Sequence, residues 1–297
     1  MNSSTSPGVP GDRGAADRQG EPRAPSAVSP DGSPGHARLA RSFDAVAGRY
    51  AAARPGYPAA LFDALAELTG RPLRGAAVLD VGAGTGIATR LLRDRGARVT
   101  AAEPGAGMAA ELRASAPAVP LVRADGNALP FADASFDLVT YAQSWHWTDP
   151  AHSVPEALRV LRPGGALALW WNLPDPDVPW AAEQEARLAR ALPGYHTGSL
   201  SGEAPEVLRR LGHAPLTRTL HWERPLTLEE HLAHLGSRSY FAAIGPDRAL
   251  PVLEAERAEL LALFPDGRLA EPYAVELVVA VSGKPREEPG DTARGEP

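Results

Sequence analysis

The chain contains no cysteine. Thiol nucleophiles, disulfides, thiolate-ligated zinc and iron–sulfur clusters are excluded together, so any chemistry has to come from His, Asp, Glu, Tyr, Arg or a bound cofactor. Excess positive charge is also lacking: 30 basic residues stand against 36 acidic ones, a formal net charge of −6. Tracking a nucleic-acid backbone needs a concentrated basic face, so no nucleic-acid partner is expected. No run reaches the ~18 consecutive apolar residues of a membrane span, and the N-terminus has no apolar stretch of the secretion-signal kind. The expectation is a cytoplasmic protein with no membrane partner. What is present is ordinary globular composition, 44% hydrophobic and 22% charged over 297 residues, enough for a sizeable core.

Residues 1–40 are rich in Pro, Gly and Ser and hold four large apolar residues, Met1, Val9, Val28 and Leu39. Such a segment cannot bury enough apolar surface to offset its ordering entropy and is expected to be disordered, as is the Pro/Glu/Gly-rich tail at 284–297. The folded unit is then 41–283, without internal repeats. Within it, strand-length apolar runs (Ala76–Val81, Arg98–Ala102, Val119–Arg123, Phe136–Tyr141, Ala166–Trp171) alternate with helix-period segments. Leu61, Phe62, Leu65 and Leu68 form one face of a helix opened by Pro58 and closed by Gly70. Ser153 with Glu156 predicts a capping box, followed by a turn at Pro163-Gly164-Gly165. This alternation predicts an α/β fold with a doubly wound, mostly parallel sheet. Further on, a helix ends at Gly212, a strand follows near Leu216–Glu223, and Thr227 with Glu230 caps a helix carrying Leu228, Leu232 and Leu235. A helix from about Asp247 to Phe264 precedes a last strand, Tyr273–Ser282. These two strands should complete the sheet, with a helical cover over its carboxyl edge.

The segment Val78-Leu79-Asp80-Val81-Gly82-Ala83-Gly84-Thr85-Gly86 lies at the first strand-to-helix turn, where open α/β sheets bind ligands. A dinucleotide fingerprint would need glycine at position 87, which is Ile. Asp80 also argues against a pyrophosphate: a carboxylate ~5 Å from a unit charge contributes ~3 kcal/mol at an effective dielectric of ~20, attractive for a cation and repulsive for an anion. One strand later, Glu103 stands where an acidic side chain accepts hydrogen bonds from ribose hydroxyls. The ligand expected from these residues is a nucleoside with a positive centre.

With Ala102-Glu103-Pro104, Ala124-Asp125-Gly126-Asn127-Ala128-Leu129-Pro130-Phe131, Ser135-Phe136-Asp137-Leu138-Val139 and Leu161-Arg162-Pro163-Gly164-Gly165, this loop resembles the ordered motifs of class I S-adenosylmethionine-dependent methyltransferases. Upstream, Phe43-Asp44, Tyr50, Arg54-Pro55 and Tyr57-Pro58 resemble the lead-in of the small-molecule branch that includes trans-aconitate-type methyltransferases. The resemblance covers about 42–175. It implies a seven-stranded Rossmann-like sheet of order 3-2-1-4-5-7-6 with strand 7 antiparallel, and S-adenosyl-L-methionine as cofactor. It also implies that Gly82, Gly84 and Gly86 admit the methionine moiety, with Asp80 near its amino group and Glu103 on the ribose. Asp125, Gly126 and Asn127 would line the adenine, and Gln143 the sulfonium end.

The methyl acceptor is expected across the crevice, at the Trp145-His146-Trp147 loop. His146 is the candidate general base or acceptor-orienting group, since an imidazole titrates near neutral pH. Tyr50, Arg54 and Tyr57 would close over the same space, Arg238 would line it from the cover, and Arg54 and Arg238 could hold a carboxylate or phosphate. Without a third ligand, His231 and His234 read as solvated helix residues, and no metal is expected. The favoured reading is methyl transfer to a small molecule, O-methylation foremost. The alternatives are an NAD(P)-dependent oxidoreductase, opposed by Ile87 and Asp80, and a non-catalytic nucleoside-binding regulatory or scaffold protein.

Overall fold

The computed structural model describes residues 54–195 and 202–283. Tyr50 and the segments expected to be disordered, 1–40 and 284–297, lie outside them. Seven strands form one sheet in the order β3-β2-β1-β4-β5-β7-β6: β1 (Ala77–Val81), β2 (Arg98–Ala102), β3 (Leu121–Val122), β4 (Phe136–Ala142), β5 (Leu161–Pro174), β6 (Leu216–Thr227) and β7 (Arg268–Val281). All neighbours among β1 to β5 pair in parallel, and β7 runs antiparallel to both β5 and β6. The chain reverses direction of travel across the sheet between β1 and β4, which opens a crevice at their carboxyl ends.

Helices cover both faces, because strands buried on two sides need two apolar layers. On one face α1 (Ala59–Thr69) and α2 (Ile87–Asp94) bring Leu61, Phe62, Leu65 and Leu92 against Val78, Trp170 and Val275. α1 begins after Pro58 and stops at Gly70, whose φ of 67° is the left-handed stop glycine allows. α3 (Ala106–Ser115) packs Leu112 against Ala101 at the β2 side. The other face carries α4 (Pro150–Val160) and α6 (Ala204–Arg210), which set Val154, Ala157 and Leu208 against Tyr141 and Trp171.

Two local expectations are corrected. α4 is capped four residues before the anticipated box: Asp149 is its N-cap, accepting from the Ala151 amide, and Pro150 occupies the first turn where no N–H is needed. Ser153 is therefore inside the helix, bonded to the Thr148 hydroxyl, and Glu156 serves the Leu129 amide and Arg159 instead. Pro163-Gly164-Gly165 is no separate turn. β5 begins at Leu161 and runs through these residues with a register shift against β4, a bulge that Gly164 accommodates at φ 72°. By contrast, the Thr227–Glu230 capping box is present in full.

A cover stands over the carboxyl edge. α5 (Pro179–Ala191) follows β5, while α7 (Leu228–Gly236), α8 (Ser239–Ile244) and α9 (Pro246–Leu263) are inserted between β6 and β7. Leu188, Leu235, Phe241 and Ala249 form one small core of this cover, and Leu228, Leu232, Leu260 and Leu269 another. Among the described residues no helix is long and apolar enough to cross a membrane.

Candidate active site

The glycine loop leaves β1 through three left-handed residues, Gly82, Gly84 and Gly86, with φ of 66°, 57° and 84°. They serve different needs. A Cβ on Gly82 would come within 2.5 Å of the Ser144 Cβ, so this glycine lets the loop after β4 close against the loop after β1. The Ser144 hydroxyl fastens that contact by donating to the Val81 carbonyl at 2.6 Å. A Cβ on Gly84 would meet nothing within 4 Å, so the backbone there faces open space.

Asp80 is fully buried beneath this loop. Its carboxylate accepts from the hydroxyls of Thr89 on α2 (2.6 Å) and Thr140 on β4 (3.0 Å). Burial pushes its pKa up to about 6, the two hydroxyls oppose that, and the nearby charge of Glu103 adds to it. Asp80 thus braces the loop from below, its carboxylate turned to the two hydroxyls. Thr89 and Thr140 carry no sequence signal of this role beyond being hydroxyls on neighbouring elements.

Glu103 ends β2 and is nearly buried. Its oxygens accept from the amides of Gly84 (2.8 Å) and Gly105 (2.7 Å). A carboxylate offers about four acceptor positions, so these two bonds aim the group across the mouth of the glycine loop while leaving capacity for hydroxyl donors. Asp125 is exposed and turns back on the Asn127 amide (2.9 Å). Gly126 is buried where a Cβ would press on Thr148, Val81 and Tyr141, so glycine is required by packing. The Asn127 side-chain carbonyl accepts from the Asp149 amide at 2.8 Å, joining this wall to the start of α4.

Gln143 directly follows β4 at φ 55°, an uncommon conformation for a residue other than glycine, and its backbone N–H donates to the Trp170 carbonyl at 2.9 Å. Next comes a single 3-10 turn, Trp145–Trp147. Trp145 is a correction: its ring is buried in the core, edge-on to Trp171 at 6.2 Å, so it supports the loop from behind rather than lining the crevice. His146 and Trp147 are half-buried, rings 4.8 Å apart. The Trp171 indole donates to His146 Nδ1 at 3.3 Å. A neutral imidazole so engaged carries its hydrogen on Nε2.

The strip 54–57 arches from the cover to β5. Arg54 donates to the Ser237 carbonyl, Asn172 donates to the Gly56 carbonyl, and Tyr57 packs edge-on to Trp170 at 5.9 Å. Arg238 does lie in the cover, but its guanidinium is held by Glu185 (2.7 Å) and the Tyr195 hydroxyl (2.6 Å). As an anion holder it would first have to share that charge.

His231 and His234 are the second correction, because neither is solvated. Both are buried, each donating from Nδ1 to Glu271 Oε1, at 2.8 and 2.9 Å. Arg224 and the Tyr273 hydroxyl take the other oxygen. His231 Nε2 continues to Gln184, which donates to Glu256, itself paired with Arg187. Burial would raise the Glu271 pKa, but the bonds and charges of the two histidines override it and hold the group far below the carboxylate range. Burial pushes His234 down to about 4, against the pull of Glu271, with Arg238 and Arg54 adding to the depression. Among the described residues one trio has ligating atoms close enough for a metal, Asp175, Asp177 and His221, within 4.8 Å of one another. There His221 is already bonded to Asp175, which raises its pKa.

Comparison with known proteins gives these features a context. Residues 79–169 match the family model described as a methyltransferase domain. An uncharacterized methyltransferase of Mycobacterium tuberculosis is 33% identical over 252 residues, covering 82% of this chain and 96% of its own. The malonyl-[acyl-carrier protein] O-methyltransferase of Enterobacter lignolyticus is 42% identical over 117 residues, 38% of this chain and 47% of that one. Among solved structures, a candidate type II methyltransferase of Anaeromyxobacter dehalogenans superposes with a TM-score of 0.52 at 27% identity, covering 77% of this chain and 96% of the other.

Proposed function

Because the chain belongs to the class I methyltransferases, we propose that it moves a methyl group from S-adenosylmethionine to an oxygen of a small-molecule acceptor by in-line displacement. The observation that carries this reading is the pairing of two loops across the β1/β4 crevice. One presents open backbone at Gly84 with Glu103 aimed over it, and the other presents Gln143 and His146. The residues present fit the cofactor: a cradle that a side chain would fill at Gly84, a carboxylate with spare acceptor capacity, and negative charge from Asp80 and Glu103 that favours a cation over a pyrophosphate. When bound, the cofactor supplies an electrophilic methyl on a sulfonium.

In this reading Gly82, Gly84 and Gly86 admit the methionine portion, Glu103 takes the ribose hydroxyls, Asp125, Gly126 and Asn127 wall the adenine, and Gln143 stands at the sulfonium end. His146, Trp147, Arg54 and Tyr57 surround the acceptor, with Arg238 behind them. Holding two reactants in near-attack geometry can supply ~7–11 kcal/mol, so most of the rate is asked of alignment. Trp171 occupies His146 Nδ1, which favours His146 as a hydrogen-bond donor that orients the acceptor oxygen over His146 as the base that deprotonates it. The similarity to an O-methyltransferase supports oxygen as the atom methylated. No nucleic acid or membrane enters the proposal, in keeping with the net charge of −6.

Thermal melting tests the cofactor. S-adenosylhomocysteine should raise the melting temperature by binding the native state, and NADH should not. A shift with NADH alone would overturn the reading. Turnover of a panel of phenols, carboxylic acids and amines then tests the acceptor, with methylated amines as the only products contradicting the choice of oxygen.

A further inference from the structure

His231 is a buried side chain whose hydrogen bonds leave it one protonation state. Only 2% of the side chain is exposed, and both ring nitrogens face oxygen: Nδ1 lies 2.8 Å from Glu271 Oε1, and Nε2 lies 3.1 Å from Gln184 Oε1. Glu271 is an ionised acceptor, because Arg224 and the Tyr273 hydroxyl donate to its other oxygen while His234 shares Oε1. Nδ1 of His231 therefore carries a hydrogen.

The second nitrogen is decided one step further out. An amide can turn either end toward an imidazole, so Gln184 alone does not separate donor from acceptor. Its other end lies 3.2 Å from Glu256 Oε2, and Glu256 is paired through both oxygens with Arg187, at 2.9 and 2.8 Å. A carboxylate so paired only accepts, so Gln184 gives it the amino group and turns its carbonyl to His231. The reverse orientation would set two acceptor oxygens face to face in a buried space. Nε2 thus carries a hydrogen as well, and the ring is an imidazolium.

This chain of bonds runs from Glu256 on α9, through Gln184 and Arg187 on α5, to His231 on α7 and Glu271 on β7. The other groups around His231 are Arg224 from β6, Tyr273 from β7, His234 on its own helix and the ring of Trp180 from α5, 5.7 Å away. The arginines keep their protons throughout the ordinary pH range. Burial pushes the Tyr273 hydroxyl far above the phenol range, and burial pushes His234 down to about 4. The hydrogen on His231 Nε2 is the one in this set that a moderate rise in pH removes.

We propose that His231 is a proton-dependent latch: its second proton ties α5 and α9 to α7 and β7, and losing it as pH rises loosens the helical cover while β1 to β5 stay folded. With Nε2 bare, its lone pair would face the Gln184 carbonyl, two buried acceptors with no hydrogen between them. A proton held more firmly by the closed cover than by the open one stabilises closure on the acid side, and that contribution disappears as the proton leaves. The latch stands apart from the methyltransferase reading and does not depend on it.

The test uses the full-length protein labelled with ¹⁵N-histidine. Long-range ¹H–¹⁵N spectra at pH 7 should show hydrogens on both nitrogens of His231, its signals assigned by their contacts with the Trp180 ring. Hydrogen–deuterium exchange from pH 7 to 10, corrected for base catalysis, should show α5, α7 and α9 losing at least tenfold in protection as His231 titrates, and β1, β4 and β5 less than twofold. Gln184→Leu removes the acceptor at Nε2, so the titration and the loosening of the cover should move together to lower pH. A bare nitrogen on His231 at pH 7, protection of the cover that does not follow the titration, or equal loss of protection in the sheet would overturn the proposal. The wild-type spectra and exchange decide it even where the variant does not fold.

Discussion

The two halves of the carboxyl edge are built on different principles. On the cofactor side, from β1 to β4, the work is done by backbone: three glycines at positive φ, amides of Gly84 and Gly105 on Glu103, and short polar side chains bracing the turn. On the other side, from β5 to β7, it is done by long charged side chains brought together from α5, α7, α9, β6 and β7 around Glu271 and Glu256. A backbone site can lose a side chain and keep its shape. A charge network cannot, because each partner's burial is tolerated only while the others are present.

The sharpest way to break this contrast is to delete one carboxylate on each side. Glu271→Ala strands Arg224 and two imidazoles in a buried space, and unfolding free energy should fall by ~3–5 kcal/mol in denaturant titration. Glu103→Ala should leave the denaturant midpoint near wild type and weaken S-adenosylhomocysteine by ~1.5–3 kcal/mol in isothermal titration. Equal loss of stability in both variants would erase the distinction.

Asp80 tests whether charge reaches across a backbone site. Its pKa rises on folding, from 3.8 to about 6. The stabilisation tied to its protonated form is therefore complete below pH ~4 and lost as pH climbs through ~6. Asp80→Asn, which does not titrate, should be more stable than wild type at pH 7, by up to ~3 kcal/mol, with the gap closing toward pH 4. Cofactor affinity at pH 7 should drop by up to ~3 kcal/mol. A gap that widens on acidification would refute the assignment.

How much of this was legible follows the same division. Glycine turns and strand ends are local, so the loop at 82–86 and Glu103 at the end of β2 could be read along the chain, while the strand order came from the family resemblance and agrees with the sheet observed. Glu271 lies 40 positions from His231, and no local period announces such a meeting. A signal did exist: His231 falls at the i+3 position of the stripe Leu228, Leu232, Leu235, which places it on the apolar face of α7. Buried histidine on an apolar face demands a partner, and a search for the missing carboxylate would have led to β7. The Ser153–Glu156 misreading was of another kind, two start signals four residues apart, of which Asp149-Pro150 prevailed, with Asp149 capping the Ala151 amide and Pro155 carried inside the helix.

A smaller comparison lies within the glycine loop. Gly82→Ala should lower the melting temperature, because its Cβ would meet Ser144 at 2.5 Å. Gly84→Ala, with open space around it, should cost only the ~1 kcal/mol of a left-handed alanine while removing S-adenosylhomocysteine binding. The smallest effect is expected at His146. His146→Asn should lower turnover about tenfold, the worth of one hydrogen bond, if the imidazole orients the acceptor. A loss of 10²–10⁴ with a changed pH profile would identify a general base.

The manner in which α7, α8 and α9 enter the fold has a consequence for how such enzymes diversify. They leave the sheet after Thr227 and return at Arg268, and these two residues are direct cross-strand partners. A short turn could join them without altering the register of β6 and β7, so the insert 228–267 enters and leaves through one hairpin, and any replacement would have to bring its own partners for Glu271 and Arg187. Exchanging it between relatives would change the roof proposed to meet the acceptor while leaving the glycine loop and Glu103 in place. Acceptor preference and cofactor use can then be inherited separately, in two stretches of one gene that need not change together.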